Sequence, residues 1–158
     1  MKAIIPAIVW VLGLCGCATP PVKQVEQFNP AHFTRYDKPG TAQISGEAFL
    51  RTKGGDVKTA AGRRIYLVPL VPYTDERAKI MWERKEPEAP DPRLARYTKS
   101  TTADAQGRFS FSSLPAGSYL VYTTITWTVS DGSETGGAAL GRVLRLGEGE
   151  KKPVVVTR

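Results

Sequence analysis

The stretch STTADAQGRFSFSSLPAGSYLVYTTITWTV, residues 100–129, decides the fold. Asp104-Ala105-Gln106-Gly107 is a tight-turn signature: the Asp side chain bonds backbone N–H groups two residues on, and the glycine accepts positive φ. It separates two extended runs, Tyr97–Ala103 and Arg108–Ser112, and so predicts a hairpin. Phe109 and Phe111 alternate around Ser110, which puts both rings on one face. Leu114-Pro115-Ala116-Gly117 has Pro and Gly where a type I turn favours them. From Tyr119 to Val129 the period is strictly two. Tyr119, Val121, Thr123, Ile125, Trp127 and Val129 share one face; Leu120, Tyr122, Thr124, Thr126 and Thr128 share the other. β-Branched and aromatic residues at that period make a strand, with the Thr-rich face toward water. Tyr119, just after the turn, is placed for a tyrosine corner, its ring buried and its hydroxyl on a nearby backbone group.

Working outward, further strands are expected at Ala42–Leu50, Ile65–Val71, Gly141–Leu146 and Pro153–Thr157. Gly46 inside the first marks a bulge or a close backbone approach. Pro69 cannot donate to a ladder, so Ile65–Val71 reads as an edge or bulged strand. The glycine-rich run from Asp131 through Gly136 and Gly137 to Gly141 reads as a flexible loop, without the Lys-Ser/Thr ending of a phosphate cradle. One helical segment breaks the pattern: Thr74 to about Lys85, Thr74 as N-cap, with Ala78, Met81, Trp82 and Lys85 on one face. The expected fold is all-β, a small antiparallel β-sandwich of about seven strands, prealbumin- or immunoglobulin-like, with one inserted helix.

Ser100–Tyr122, with its Asp-Ala-Gln-Gly turn, Gly-Arg-Phe-Ser-Phe and Leu-Pro-Ala-Gly-Ser-Tyr, resembles the signature hairpin of carboxypeptidase regulatory-like (transthyretin-like) β-sandwich domains. Gly62–Pro72 resembles their strand that carries an apolar run ending in Pro. The resemblance implies the sandwich fold over residues 41–158 and is poor in functional content. Asp104, Gly107, Phe109, Leu114, Gly117 and Tyr119 are read as fold-specifying.

The first residues set location. Lys2, the apolar run Ala3–Leu14 and the small residues at its exit form a secretory signal too short to span a bilayer. Leu14-Cys15-Gly16-Cys17 resembles the lipobox of bacterial lipoproteins, which implies cleavage after residue 16 and lipidation of Cys17. In Gram-negative lipoproteins an Asp after the acceptor resembles an inner-membrane retention signal; Ala18 stands there, so the expected location is the outer membrane, lipid-anchored and facing the periplasm. Removal of residues 1–16 takes the formal charge from +7 to +6 and leaves one cysteine. No disulfide is then available, and the domain depends on its core. Residues 17–40, with Thr19-Pro20-Pro21, Asn29-Pro30 and Lys38-Pro39-Gly40, read as the lipidated cysteine and a flexible tether spanning roughly 25 Å as free coil.

The enzyme readings open to this fold fail on residue supply. Transthyretin-like hydrolases use several histidines, and intradiol dioxygenases hold iron with two His and two Tyr. This chain has His32 alone, in the expected tether. Zinc would need three or four ligands, and a serine triad a credible base. The acid pairs Asp75/Glu76, Glu86/Glu88 with Asp91, and Asp131/Glu134 read as solvated charges or a helix N-terminus, not as carboxyl groups in an apolar pocket. The expectation is a non-enzyme without cofactor or metal.

Exported basic surface meets anionic headgroups, lipopolysaccharide and cell-wall polymers, and hardly any nucleic acid. The charges are scattered along the sequence, as on a solvated surface. The first functional expectation is a lipid-anchored envelope protein presenting a protein-interaction or assembly surface at the inserted segment: Arg77, Met81, Trp82 and Arg84. Trp82 alternatively caps the sandwich. The second expectation is binding of a glycan or cell-wall polymer, an anionic one or lipopolysaccharide included, on exposed aromatics. Tyr122 and Trp127 are the aromatics of the long strand, but alternation turns Trp127 toward the core.

Overall fold

A computed structural model describes residues 20–128 and 135–158. Among them are eight strands: β1 Ala42–Arg51, β2 Val57–Thr59, β3 Arg64–Pro69, β4 Lys99–Thr102, β5 Arg108–Leu114, β6 Gly117–Thr128, β7 Thr135–Leu146 and β8 Lys151–Val156. One α-helix, α1 (Pro72–Trp82), lies between β3 and β4. The strands form two four-stranded sheets, so the all-β sandwich with an inserted helix is the fold of this chain.

β1 organises the first sheet. β5 runs antiparallel to it along residues 42–47, β8 runs parallel along 43–48, and β2 takes over at 49–51. β1 and β8 pass so closely at Gly46 that a Cβ there would collide with the Val154 carbonyl oxygen, which is the close approach its glycine requires. The second sheet is antiparallel in the order β4-β3-β6-β7. Its long ladder runs from Gly117↔Leu146 to Thr128↔Thr135.

The core lies between the sheets, where period two predicts it. Ile44, Ala48, Phe109, Phe111 and Leu114 meet Ile65, Leu67, Tyr119, Val121, Ile125, Leu140 and Leu144. Each large apolar side chain buried there contributes roughly 1.5–3 kcal/mol. Thr123 is buried on this face and keeps its hydroxyl satisfied by donating to the Arg64 carbonyl at 2.8 Å. Val129 lies outside the described residues.

The turn chemistry forms as expected, but its topology differs. The Asp104 carboxylate accepts from the N–H groups of Gln106 (2.9 Å) and Arg108 (2.8 Å), and Gly107 has φ 82°. No hairpin within one sheet results, because β4 pairs with β3 and β5 with β1. The turn instead carries the chain between sheets. Four residues of turn chemistry fix a local reversal; the ladder each strand joins is set by where its apolar face is buried, as Phe109 and Phe111 are against β1. The Pro115 turn crosses back, and the Tyr119 hydroxyl clamps it by donating to the Pro115 carbonyl at 2.8 Å, the expected tyrosine corner.

Four further expectations are corrected. β3 is central and not an edge: Pro69 ends it beyond the last β4 pair, Leu67↔Lys99, so its missing N–H costs no ladder bond. Gly136–Gly141 is not a loop but the first half of β7. The outer face of β6 is wet only in its second half, because Ala78 of α1 packs on Val68 and Leu120. Thr74 is not the N-cap; it stands one turn inside α1, its hydroxyl accepting from Val71 N–H (3.0 Å) and donating to the Pro69 carbonyl (2.6 Å).

The stretch expected as tether is packed from residue 22 onward. Pro30–Tyr36 forms a 3-10 helix that buries Phe33 completely. Phe33 stacks between Phe28 (4.8 Å) and Tyr97 (4.5 Å), against Val71 and Tyr73. Upstream, Val22 pairs with the return from the helix through Val22 N–H to Glu86 carbonyl (2.7 Å) and Glu88 N–H to Val22 carbonyl (3.0 Å). Buried Gln24 donates to the Tyr73 carbonyl at 3.0 Å. The Glu76 carboxylate accepts from the N–H groups of Val25 (3.0 Å) and Glu26 (2.7 Å). These aromatics are spaced by neither strand nor helix period and stand among prolines, so no periodic pattern announces them. Cys17 and the signal segment lie outside the described residues.

Candidate functional site

Helix α1 positions the site. Pro72 opens it, where a missing N–H is harmless. Ala78, 1% exposed, pins it to the outer face of the second sheet. Trp82 follows one turn later on the same side. The helix stops there through a Schellman closure: Lys85 N–H donates to the Ile80 carbonyl at 3.1 Å and Arg84 N–H to the Met81 carbonyl at 3.0 Å. Arg84 takes the left-handed position at φ 59°, a conformation that costs a non-glycine residue about 1 kcal/mol.

This geometry lays Trp82 over β7. A Cβ added at Gly141 would come within 3.3 Å of the indole nitrogen. Gly141 pairs with Tyr122 of β6, which pairs with Tyr66 of β3. Tyr66 and Tyr122 are stacked at 5.1 Å with their planes 18° apart. An aromatic row therefore crosses the outer face of the second sheet from Tyr66 through Tyr122 to the indole on Gly141. Beside Trp82 opens a cleft of about 530 Å³, lined by Met81, Trp82, Arg84, the Gly137–Gly141 segment, Thr157 and Arg158. Its strand side consists of glycine, alanine and Leu140, and among the described residues no Asp or Glu side chain lines it. Met81 and Trp82 are 40% and 49% exposed.

The four residues expected as one interaction surface divide in two. Met81, Trp82 and Arg84 share the cleft. Arg77 does not: its guanidinium donates to the Gln24 side chain and to the Glu88 carbonyl (2.8 Å), and lies 5.8 Å from the Tyr73 ring centroid. It is a clamp between the N-terminal segment and the helix return. Trp127, as its alternation implied, packs against the core cluster and lies over Gly136. The glycine-rich run, read in sequence as a loop, is what makes room for both indoles. Glycines opposite aromatics at strand period were the available signal.

A smaller cavity of about 220 Å³ lies between Tyr36, Asp37, Arg96, Tyr97 and Tyr119. Its hydroxyls are engaged in structure. Tyr36 donates to the Ser118 carbonyl and accepts from Ser118 N–H, and Tyr97 donates to the Asp37 carboxylate. Burial pushes all three phenols above their ordinary range, so they stay protonated at neutral pH. Asp91, at the start of the 3-10 helix Pro92–Tyr97, has its carboxyl drawn down to about 2 by the Arg93 side chain and N–H. Both are structural arrangements. Among the described residues no three metal-binding side chains cluster, and no helix is long and apolar enough to cross a membrane.

No family model and no curated protein matches the chain. Among solved structures, it is similar to a candidate carbohydrate-binding protein of Pseudomonas aeruginosa, with TM-score 0.72, 24% identity, and coverage of 85% of this chain and 100% of that one. The likeness shows the fold. Weaker similarities are to a minor pilin of Streptococcus agalactiae (TM-score 0.40, 15% identity, 76% of this chain and 44% of that one) and to an (S)-allantoin synthase (TM-score 0.37, 16% identity, 76% and 42%).

Proposed function

We propose that this chain is a non-catalytic, lipid-anchored module of the bacterial cell envelope that binds carbohydrate in the Trp82 cleft. The observation that carries the reading is the half-exposed indole laid over Gly141, a strand position without a side chain. An indole offers a flat, electron-rich face on which the C–H face of a sugar ring packs. The small residues Gly137, Ala138 and Ala139 in the lining let that ring come close to the strand, and the cleft volume suits a small ligand. The Pseudomonas protein of the same fold is itself described as a candidate carbohydrate binder, the ligand class proposed here.

The glycan reading thus displaces the protein-interaction reading that the sequence put first. Arg77, one of the expected anchors, is engaged in holding the N-terminal segment. Anchoring through Cys17 follows from the lipobox resemblance, and Ala18 supports an outer-membrane location facing the periplasm. The packed segment from Val22 onward shortens the tether to about five residues, at most ~17 Å when extended, so the module sits close to its membrane.

The test is a glycan array probed with the mature protein in detergent, beside its Trp82→Ala variant. Binding to a defined set of glycans, reduced at least tenfold in the variant at unchanged melting temperature, is the expected result. Glycan binding indifferent to Trp82, or no binding to any arrayed glycan, overturns the site. Absence of acyl incorporation at Cys17 on labelling with a fatty-acid analogue overturns the anchor.

A further inference from the structure

Resting on the carbohydrate reading of the cleft, we propose that its ligand is an acidic glycan whose carboxylate is held by Arg84. The scattered charges of the sequence hide a local asymmetry. Arg84 and Arg158 both line the Trp82 cleft, and among the described residues no acidic side chain does. Neither arginine enters an ion pair among the described residues, whereas Glu83, next to Arg84 in sequence, is engaged by the Lys85 ammonium at 2.8 Å. Among the described residues the cleft is thus lined by two guanidinium groups and no acidic side chain. The Schellman closure fixes where Arg84 leaves the backbone, two residues from the indole, so ring and cation are presented together.

The two recognition elements divide the work. An indole face selects a ring. A guanidinium selects a planar carboxylate, which it binds through two parallel N–H donors. A sugar acid presents both groups with the carboxylate at the ring's edge, where a cation flanking the stacking surface reaches it. Charge complementarity of this kind weakens as salt screens it.

The experiment is calorimetric titration of the mature protein in detergent with hexagalacturonate, its fully methyl-esterified form, and polyglutamate of matched charge. Three variants accompany it: Trp82→Ala, Arg84→Gln and Arg84→Gly. The glycine variant removes the guanidinium at a backbone φ of 59° that suits glycine, so its melting temperature stays at or above that of the parent and any lost affinity is not lost folding. The expected result has four parts. The acid binds at least tenfold tighter than the ester. Both Arg84 variants lose that margin, Trp82→Ala loses binding to both sugars, and the acid's affinity falls with salt. Equal affinity for acid and ester, still dependent on Trp82, overturns the acidic ligand and leaves the carbohydrate reading standing. Polyglutamate binding as tightly as the sugar acid, indifferent to Trp82, overturns both, and so does no binding of any probe.

Discussion

Trp82 lies on Gly141, its indole nitrogen 3.3 Å from where a Cβ would stand. A helix end and a strand glycine, far apart in sequence, together make a surface that neither makes alone. Filling that space tests it. Gly141→Val puts a β-branched residue at a half-buried strand position on the outer face, outside the core between the sheets, and keeps the fold. Its branched side chain displaces the indole and occupies the cleft. Carbohydrate affinity falls at least tenfold with the melting temperature within a few degrees, measured by titration and thermal denaturation.

Phe33 is fully buried, stacked between Phe28 and Tyr97. Phe33→Ala accordingly destabilises the domain by about 3–5 kcal/mol, read by urea denaturation. A tether residue would change stability by no more than about 0.5 kcal/mol.

Glu76 holds the N-terminal segment through the N–H groups of Val25 and Glu26, and these bonds lower its carboxyl below the ordinary 4.5. A carboxyl lower in the folded than the unfolded state stabilises above its unfolded value, and that stabilisation is lost as pH falls through the folded value. Hydrogen exchange at Val25 and Glu26 therefore quickens below about pH 4.5 after correction for intrinsic rates. Glu76→Gln abolishes the pH dependence.

Gly46 and Gly54 separate close approach from open space. A Cβ at Gly46 meets the Val154 carbonyl and the Phe109 ring, whereas one at Gly54 meets only the Thr52 hydroxyl at 3.8 Å. Gly46→Ala costs ~1–3 kcal/mol in chemical denaturation. Gly54→Ala is neutral within about 0.5 kcal/mol.

The sandwich was legible because period two and turn chemistry are local. Residues 100–128 declare the core face of β6, the Asp104 reversal and the tyrosine corner. Sheet assignment was not legible, since the Asp104 turn has the same chemistry whether it closes a hairpin or crosses between sheets. Pro69 misled for a related reason: its missing N–H forbids a ladder bond only where a neighbouring strand reaches, and β4 stops short. Of the site, Met81, Trp82 and Arg84 stood out as aromatic and cationic residues in an insertion. Their floor did not, because Gly136–Gly141 has turn composition and becomes a strand only through its ladder with β6. Arg77 was misplaced because its partners, Gln24 and Glu88, are 53 and 11 residues away.

The most direct measurement is an NMR titration of the mature protein in detergent with two soluble oligosaccharides, chitohexaose and hexagalacturonate, following the indole and backbone N–H signals. Carbohydrate binding in the cleft predicts saturable shifts of the Trp82 indole and the Gly137 and Gly141 amides, while the Trp127 indole, packed against the core, stays in place. Shifts confined to another face, or none with either sugar, would contradict it.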